Sequence, residues 1–323
     1  MTAMVETRAL TIGYGCDALI QRNLNLKAYE RDLICLIGTN GTGKSTLLRT
    51  LAGLLPPMSG HVLIQGRDIT QMNNTERARA IALVLTDTVN VEHLTIRDLV
   101  AMGRFPHTDW MGRMATQDKK IIDNALKQVN LMHKAACNIM QVSDGERQRA
   151  IIAKALAQDT PLVLLDEPTA HLDLPNRIEI MMLLRRLSVG LHKCFILSTH
   201  ELDLAIQMAD KIWLMEDGIT AGVPEDLMLN GHMQQAFQSA VFHFDESDGH
   251  CRINHLRGKL NVHLTGSGNR RQWIHCAFVR CGIGESEQAP ITIEAGDDKF
   301  RINGNYEVSS VEEVLEWLNK STK

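Results

Sequence analysis

The stretch LICLIGTNGTGKSTLLRTLAGLLPP, residues 33–57, decides the fold. It opens with an apolar run of strand character, Leu33 to Ile37. Then come Gly38, Thr39, Asn40, Gly41, Thr42, Gly43, Lys44, Ser45 and Thr46. A glycine, four residues, and then Gly-Lys-Ser between a strand and a helix is a complete P-loop. Its glycines let backbone N–H groups turn inward around phosphate oxygens. The helix N-terminus behind the loop adds partial positive charge. Lys44 is expected to reach the β- and γ-phosphates of a nucleotide, and Ser45 to ligate Mg²⁺. The following helix is expected to carry Leu47, Leu48, Leu51 and Leu55 on one face and to end before Pro56-Pro57. A plain strand-to-helix turn explains the glycines. It gives no packing reason for a lysine and a serine at those offsets.

Further along, TPLVLLDEPTAHLD (residues 160–173) sets four apolar residues before Asp166 and Glu167. Such a buried strand delivers carboxylates at its C-terminal end, where ligands sit in open α/β sheets. Asp166 is expected to hold Mg²⁺, and Glu167 to act as general base on the attacking water. Another strand, KCFILSTHELD, ends at His200, which is placed to contact the γ-phosphate. In QVSDGERQRAIIAKALAQ, residues 141–158, Ser143 and Glu146 have the spacing of a capping box before an apolar-striped helix. That explains the serine and the glutamate but not Gly145 or Gln148.

The chain has 323 residues, is 44% hydrophobic and carries a formal charge of -4. This suffices for one large domain and a small one. The charge and the 4% aromatic content argue against a nucleic-acid partner. The seven cysteines are scattered without metal-finger or redox spacing, as expected of reduced thiols. The N-terminus has no basic segment followed by an apolar signal core. No apolar run approaches the roughly 20 residues of a spanning helix.

In family terms, the motifs resemble those of ABC-type ATPases over residues 4–240, in family order. The family signature, usually Leu-Ser-Gly-Gly-Gln, has its counterpart in Val142-Ser143-Asp144-Gly145-Glu146. The resemblance implies that Tyr14 in LTIGYG stacks on adenine, that Asp173 lies in the aspartate loop, and that His200 is the switch histidine. It implies ATP and Mg²⁺ as cofactors, and a homodimer that sandwiches ATP between Lys44 of one copy and Ser143 and Gly145 of the other. Asp144 departs from the usual glycine and brings a carboxylate close to the expected γ-phosphate position.

LTIRDLVAMGRFPHTDWMGRMATQD, residues 94–118, is similar to the ATPases of importers for iron-siderophore, haem and cobalamin. The resemblance implies an ATPase on the cytoplasmic face of the inner membrane, peripheral to an integral permease that is supplied by a periplasmic or lipid-anchored binding protein. The rival readings are an exporter ATPase and an iron–sulfur assembly scaffold ATPase. A DNA-maintenance ATPase would place a long coiled coil between Lys44 and Ser143, and no heptad run is present. In the importer family the strand corresponding to IALVL usually ends in glutamine. Without gaps, that position is Thr86, which is expected to sense the γ-phosphate partly through water.

The expected fold is an α/β P-loop ABC ATPase domain, residues 1–242, with a mixed sheet and a helical subdomain at about 88–158. A small α+β appendage is expected over residues 243–323. Its helix with Trp273 and Ala277 and its final helix, doubly capped by Ser309 with Glu312 and Ser310 with Glu313, are its clearest elements. Histidines and cysteines there, among them His275, Cys276 and Cys281, raise the idea of metal sensing. His275 and Cys276 are adjacent on a helix and point apart, so a regulatory or dimer-stabilising role is the simpler reading.

Overall fold

The computed structural model describes residues 3–15, 18–85, 93–109, 111–237, 242–244, 251–253, 258 and 260–321. The chain divides into two compact units, one formed by residues 1–238 and 244–250, the other by 239–243 and 251–323.

The first unit is built on a six-stranded sheet in the order Gly218–Gly222, Lys211–Glu216, Leu33–Gly38, Cys194–Ser198, Leu162–Leu165, Ile81–Val84. All neighbours run parallel except the first pair. The central strands are buried along their whole length, which is why they read as continuous apolar runs. A second, antiparallel sheet holds Val5–Tyr14, Ala18–Leu24, Ser59–Ile64, Arg67–Asp68 and the short Lys27–Ala28. The helix Lys44–Leu51 packs between these sheets, with Leu47, Leu48 and Leu51 fully buried beside Ile34, Leu36 and Trp213. It ends at Leu51, short of the Leu55 that the leucine spacing suggests, and Gly53 follows at φ 69°. A left-handed glycine just past the last turn is a common helix stop.

Register brings the strand ends together. Leu36 lies opposite Ser198, Leu165 opposite Leu197, and Val84 opposite Leu165. The helical segment contains Ile96–Ala101, Thr116–Gln128 and Asp144–Ala157. Between the first two, GRFP is a 3₁₀ helix, Met102–His107, where a simple turn would also have fitted the sequence.

The second unit has a five-stranded sheet in the order Gly284–Glu285, Asn261–Gly266, Thr292–Ala295, Phe300–Ile302, Tyr306–Val308, with helices Gly268–Cys281 and Val311–Ser321. Its own core includes Val262, Ile274, Phe278, Phe300, Val314 and Leu318. On the first of these helices Ala277 is buried, but Trp273 is 69% exposed. One capping box holds the last helix: Ser310 Oγ accepts from Glu313 N at 3.2 Å, and Ser310 N donates to Glu313 Oε2 at 3.4 Å. Ser309 also turns to Glu313, at 2.8 Å from its N–H, and not to Glu312. One carboxylate serves both serines.

Candidate functional site

The phosphate loop is shaped by its neighbours. Gly43 sits at φ 103°, and a Cβ there would come 2.3 Å from Ile20 Cγ2. Both facts require glycine. Thr42 Oγ1 donates to Thr39 O at 2.9 Å across the turn. Lys44 is buried, and its Nζ donates to Gly38 O at 2.9 Å and Thr39 O at 3.1 Å. Burial pulls the lysine below its ordinary value, while Glu167 and Asp166 oppose that shift. Thr46 Oγ1 donates to the Tyr14 hydroxyl at 3.2 Å, which ties the half-exposed ring to the first turn of the loop's helix.

The acidic strand end meets this loop. Ser45 Oγ donates to Asp166 Oδ1 at 3.0 Å. Ser198 Oγ donates to the same oxygen at 2.7 Å and accepts from Glu167 N at 2.9 Å. Glu167 takes φ 48°, in the left-handed region. Its carboxylate lies 2.9 Å from His200 Nε2. Lys44, Ser45, Asp166, Glu167 and His200 therefore converge from three strand ends, as the P-loop and acidic-strand readings anticipate.

Ser143, Gly145 and Asp173 belong to a second cluster. Ser143 caps the helix Asp144–Ala157 in a reciprocal box with Glu146, at 3.3 and 3.2 Å. Lys134 Nζ holds Glu146 at 2.6 Å. Gly145 is explained by close approach, since a Cβ there would lie 2.2 Å from Asn176 Oδ1. Asn176 donates to Asp173 Oδ1 through Nδ2 at 2.6 Å and through its backbone N at 3.1 Å. The Asp144 carboxylate, exposed, accepts from Arg147 Nη1 at 2.7 Å on its own helix. That pairing offsets the extra negative charge where the family usually has glycine. Thr86 lies outside the described residues. The two clusters border one cleft, lined by Leu85, Asp144, Arg147, Gln148, Asp166 and Glu167 among others.

Sequence reasoning missed three residues here. Ser198 ends a fully buried strand, and a polar residue in that place was the available signal. Gln21, 5% exposed, donates to Thr42 O at 3.3 Å and Glu216 O at 2.6 Å and accepts from Gly218 N at 2.8 Å. It bolts the back of the phosphate loop to the turn after the next strand. Asn176 is visible only as the partner of Gly145. No motif spacing predicts any of the three.

Several comparisons bear on this geometry. The family described as ABC transporter matches residues 21–170, and the iron ABC transporter C-terminal domain matches residues 258–319. An uncharacterized ABC transporter ATP-binding protein of Methanocaldococcus jannaschii is 36% identical, over 82% of this chain and 92% of its own. The achromobactin transport ATP-binding protein of Dickeya dadantii is 36% identical over 78% and 90%, and the iron(3+)-hydroxamate import ATP-binding protein of Bacillus subtilis 36% over 72% and 87%. Among solved structures, an ABC transporter assigned to the metal-chelate type, in an inward-facing conformation, superposes with a TM-score of 0.64 at 26% identity, over 73% of this chain and 89% of that one. A dimeric bacterial ABC transporter cassette gives 0.60 at 26%, over 68% and 99%. The chain belongs to the ABC transporter ATP-binding proteins: it binds ATP and is an ATPase. Among the described residues no helix is long and apolar enough to cross a membrane.

Proposed function

We propose that this protein is the ATP-hydrolysing subunit of an importer for an iron chelate, a siderophore or haem, with cobalamin as the nearest alternative cargo. It works as a homodimer on the cytoplasmic face of the inner membrane, against an integral permease fed by a substrate-binding protein. The observation that carries the enzymatic part is the shared oxygen of Asp166, which accepts from Ser45 at 3.0 Å and Ser198 at 2.7 Å at the foot of the phosphate loop. The match of residues 258–319 to the iron ABC transporter C-terminal domain, and the names of the relatives, support iron over other cargo. Residues 1–242 form the ATPase domain and 243–323 an accessory domain in this reading.

Residues 38–46 cradle the phosphates, and Tyr14 stacks on the base. Lys44 leaves the loop carbonyls for the phosphate oxygens, exchanging two neutral acceptors for charged ones. Ser45 and Asp166 offer a hydroxyl and a carboxylate side by side, the hard oxygen donors that Mg²⁺ prefers, so the residues fit that ion. When bound, Mg²⁺ neutralises charge on the β- and γ-phosphates. Glu167 takes the proton of the attacking water. His200 holds the Glu167 carboxylate from the other side. Ser143 and Gly145 present a capped helix N-terminus to the γ-phosphate bound by the partner copy, and Asp173 lines the same seam.

Two measurements test this. Mixing Lys44→Ala with Ser143→Arg, each inactive alone, restores part of the ATPase activity if the sites are composite; silence on mixing refutes the pairing. Co-expressed with its permease, the chain should fractionate with membranes and drive ATP-dependent uptake of a ferric chelate. Uptake of cobalamin alone would move the cargo to the alternative.

A further inference from the structure

At the far end of the Asp144–Ala157 helix, one side chain ties the helix to the strand Ile81–Val84. Gln158 Nε2 donates to Ala78 O at 2.7 Å and to Ile81 O at 2.8 Å. Both amide hydrogens leave the helix, so this is not a cap: the helix's own terminal carbonyls gain nothing from them. Ile81 is the first residue of the strand Ile81–Val84. The main chain beside Gln158 is held from the opposite side. Arg104 Nη1 donates to Ala157 O at 2.7 Å, and His107 Nε2 lies 2.9 Å from Gln158 O. Gly103 lies so close that a Cβ would come 2.2 Å from Lys154 O. Gly103 and Arg104 of GRFP thus serve as a buried fastening: Arg104 is 5% exposed and paired with Asp118 at 2.8 Å, while Phe105 stays exposed.

The same helix and the same strand meet again at their other ends. There Leu85 lines the cleft with Asp144, Arg147, Gln148, Asp166 and Glu167. The helix is thus tied to the start of the strand at Gln158, and its N-terminal end borders the cleft beside Leu85, just past the strand's end. We propose that Gln158 is a positioning residue for ATP hydrolysis: it fixes the pivot about which the helix swings, and so sets where Ser143 stands. The helix has 14 residues, about 21 Å at roughly 1.5 Å per residue. A tilt of about 5° at Gln158 moves Ser143 by about 2 Å over such an arm. Misplacement by about 1 Å can cost on the order of 100-fold in rate. A small loosening at Gln158 is therefore large at the site while leaving the phosphate loop untouched.

This inference rests on Ser143 completing the partner's site, which the mixing experiment above tests separately. The variants are Gln158→Leu, which removes both donors at similar volume, and Gln158→Lys, whose ammonium can donate to both carbonyls. The full chain is assayed for kcat, for ATP affinity by fluorescent-nucleotide displacement, and for Tm. Gln158→Leu should lose about 10-fold or more in kcat while ATP affinity stays within about 2-fold and Tm falls by only a few degrees, the cost of two part-buried carbonyls losing their donor. Gln158→Lys should recover most of the kcat. Three results overturn the proposal: an unchanged kcat in Gln158→Leu, a parallel fall of kcat, affinity and Tm, or no recovery with lysine. If the mixed variants complement while Gln158→Leu is fully active, the composite site stands and the positioning role of Gln158 falls.

Discussion

Replacing Ser198 with alanine removes one hydroxyl that serves two groups. Ser198 is fully buried. Its Oγ donates to Asp166 Oδ1 at 2.7 Å and accepts from Glu167 N at 2.9 Å. The first bond is to a carboxylate, worth about 1.5–3 kcal/mol, and leaving the Glu167 N–H unpaired costs about 1–3 kcal/mol. The two are not additive, because Ser45 still serves Asp166. A net loss of about 2–4 kcal/mol follows. At roughly 2–4 °C per kcal/mol for a unit of this size, Tm should fall by about 4–16 °C. Activity should fall further than stability suggests. Glu167 holds φ 48°, and its backbone is kept there partly through Ser198. If the peptide relaxes, the carboxylate leaves His200 and, in the mechanism proposed above, its place beside the attacking water. A drop on the order of 100-fold in kcat is expected, with ATP affinity nearly intact because Lys44 and the loop are untouched. Ser198→Thr keeps the hydroxyl and should retain most of the ATPase activity. The assay is steady-state ATPase at a temperature where the variant is folded, with calorimetry alongside. Full turnover and an unchanged Tm in Ser198→Ala would refute the reasoning.

Three further outcomes are expected. Gly145→Ala pushes a methyl into Asn176 and should loosen the Asn176–Asp173 link; ATPase activity should fall at least 10-fold while equilibrium dialysis still detects bound ATP. Under native conditions at pH 8, iodoacetamide followed by peptide mass spectrometry should mark the exposed Cys137, Cys276 and Cys281 before Cys35 and Cys194. Burial pushes the Cys35 thiol up to about 12 and raises Cys194 as well, so neither supplies the reactive thiolate. Burial alone would raise Asp118, but bonds from Arg104 and the Ala115 N–H hold it below the usual carboxyl range. A depressed folded value means the stabilisation is complete above the ordinary carboxyl range and fades as pH falls through the folded one. Asp118→Asn should therefore lower Tm near neutral pH and narrow the gap to the parent below about pH 4, read by circular dichroism.

Much of the site was legible because its pieces are local. Residues 38–46 are contiguous, and strand-loop-helix order alone reads as a phosphate loop with Lys44 and Ser45 at its end. Asp166 and Glu167 follow four apolar residues that can only be a buried strand end. The Ser143–Glu146 box spans one helical turn, and sequence spacing finds it directly. The leucine stripe was less reliable: Leu55 fits the period, yet Gly53 turns the chain before it. In the tail, both capping signals were visible, but which glutamate answered Ser309 depended on rotamer and reach, not spacing.

What the sequence determined by itself was the class of chemistry, because phosphate loops, caps and strand ends depend on neighbours a few residues apart. Tertiary structure decided who holds those parts in place. Ser198 reaches Asp166 across 32 residues, Gln21 reaches Glu216 across 195, and Gln158 reaches Ala78 across 80. Each is an ordinary polar residue whose partner is a carbonyl or carboxylate brought near by sheet order. No periodicity encodes such a meeting, since a hydrogen bond forms only when the fold sets donor and acceptor within about 3 Å. Asp144 is the contrasting case: Arg147 stands one helical turn away on the same helix, an i,i+3 pair within reach of local spacing.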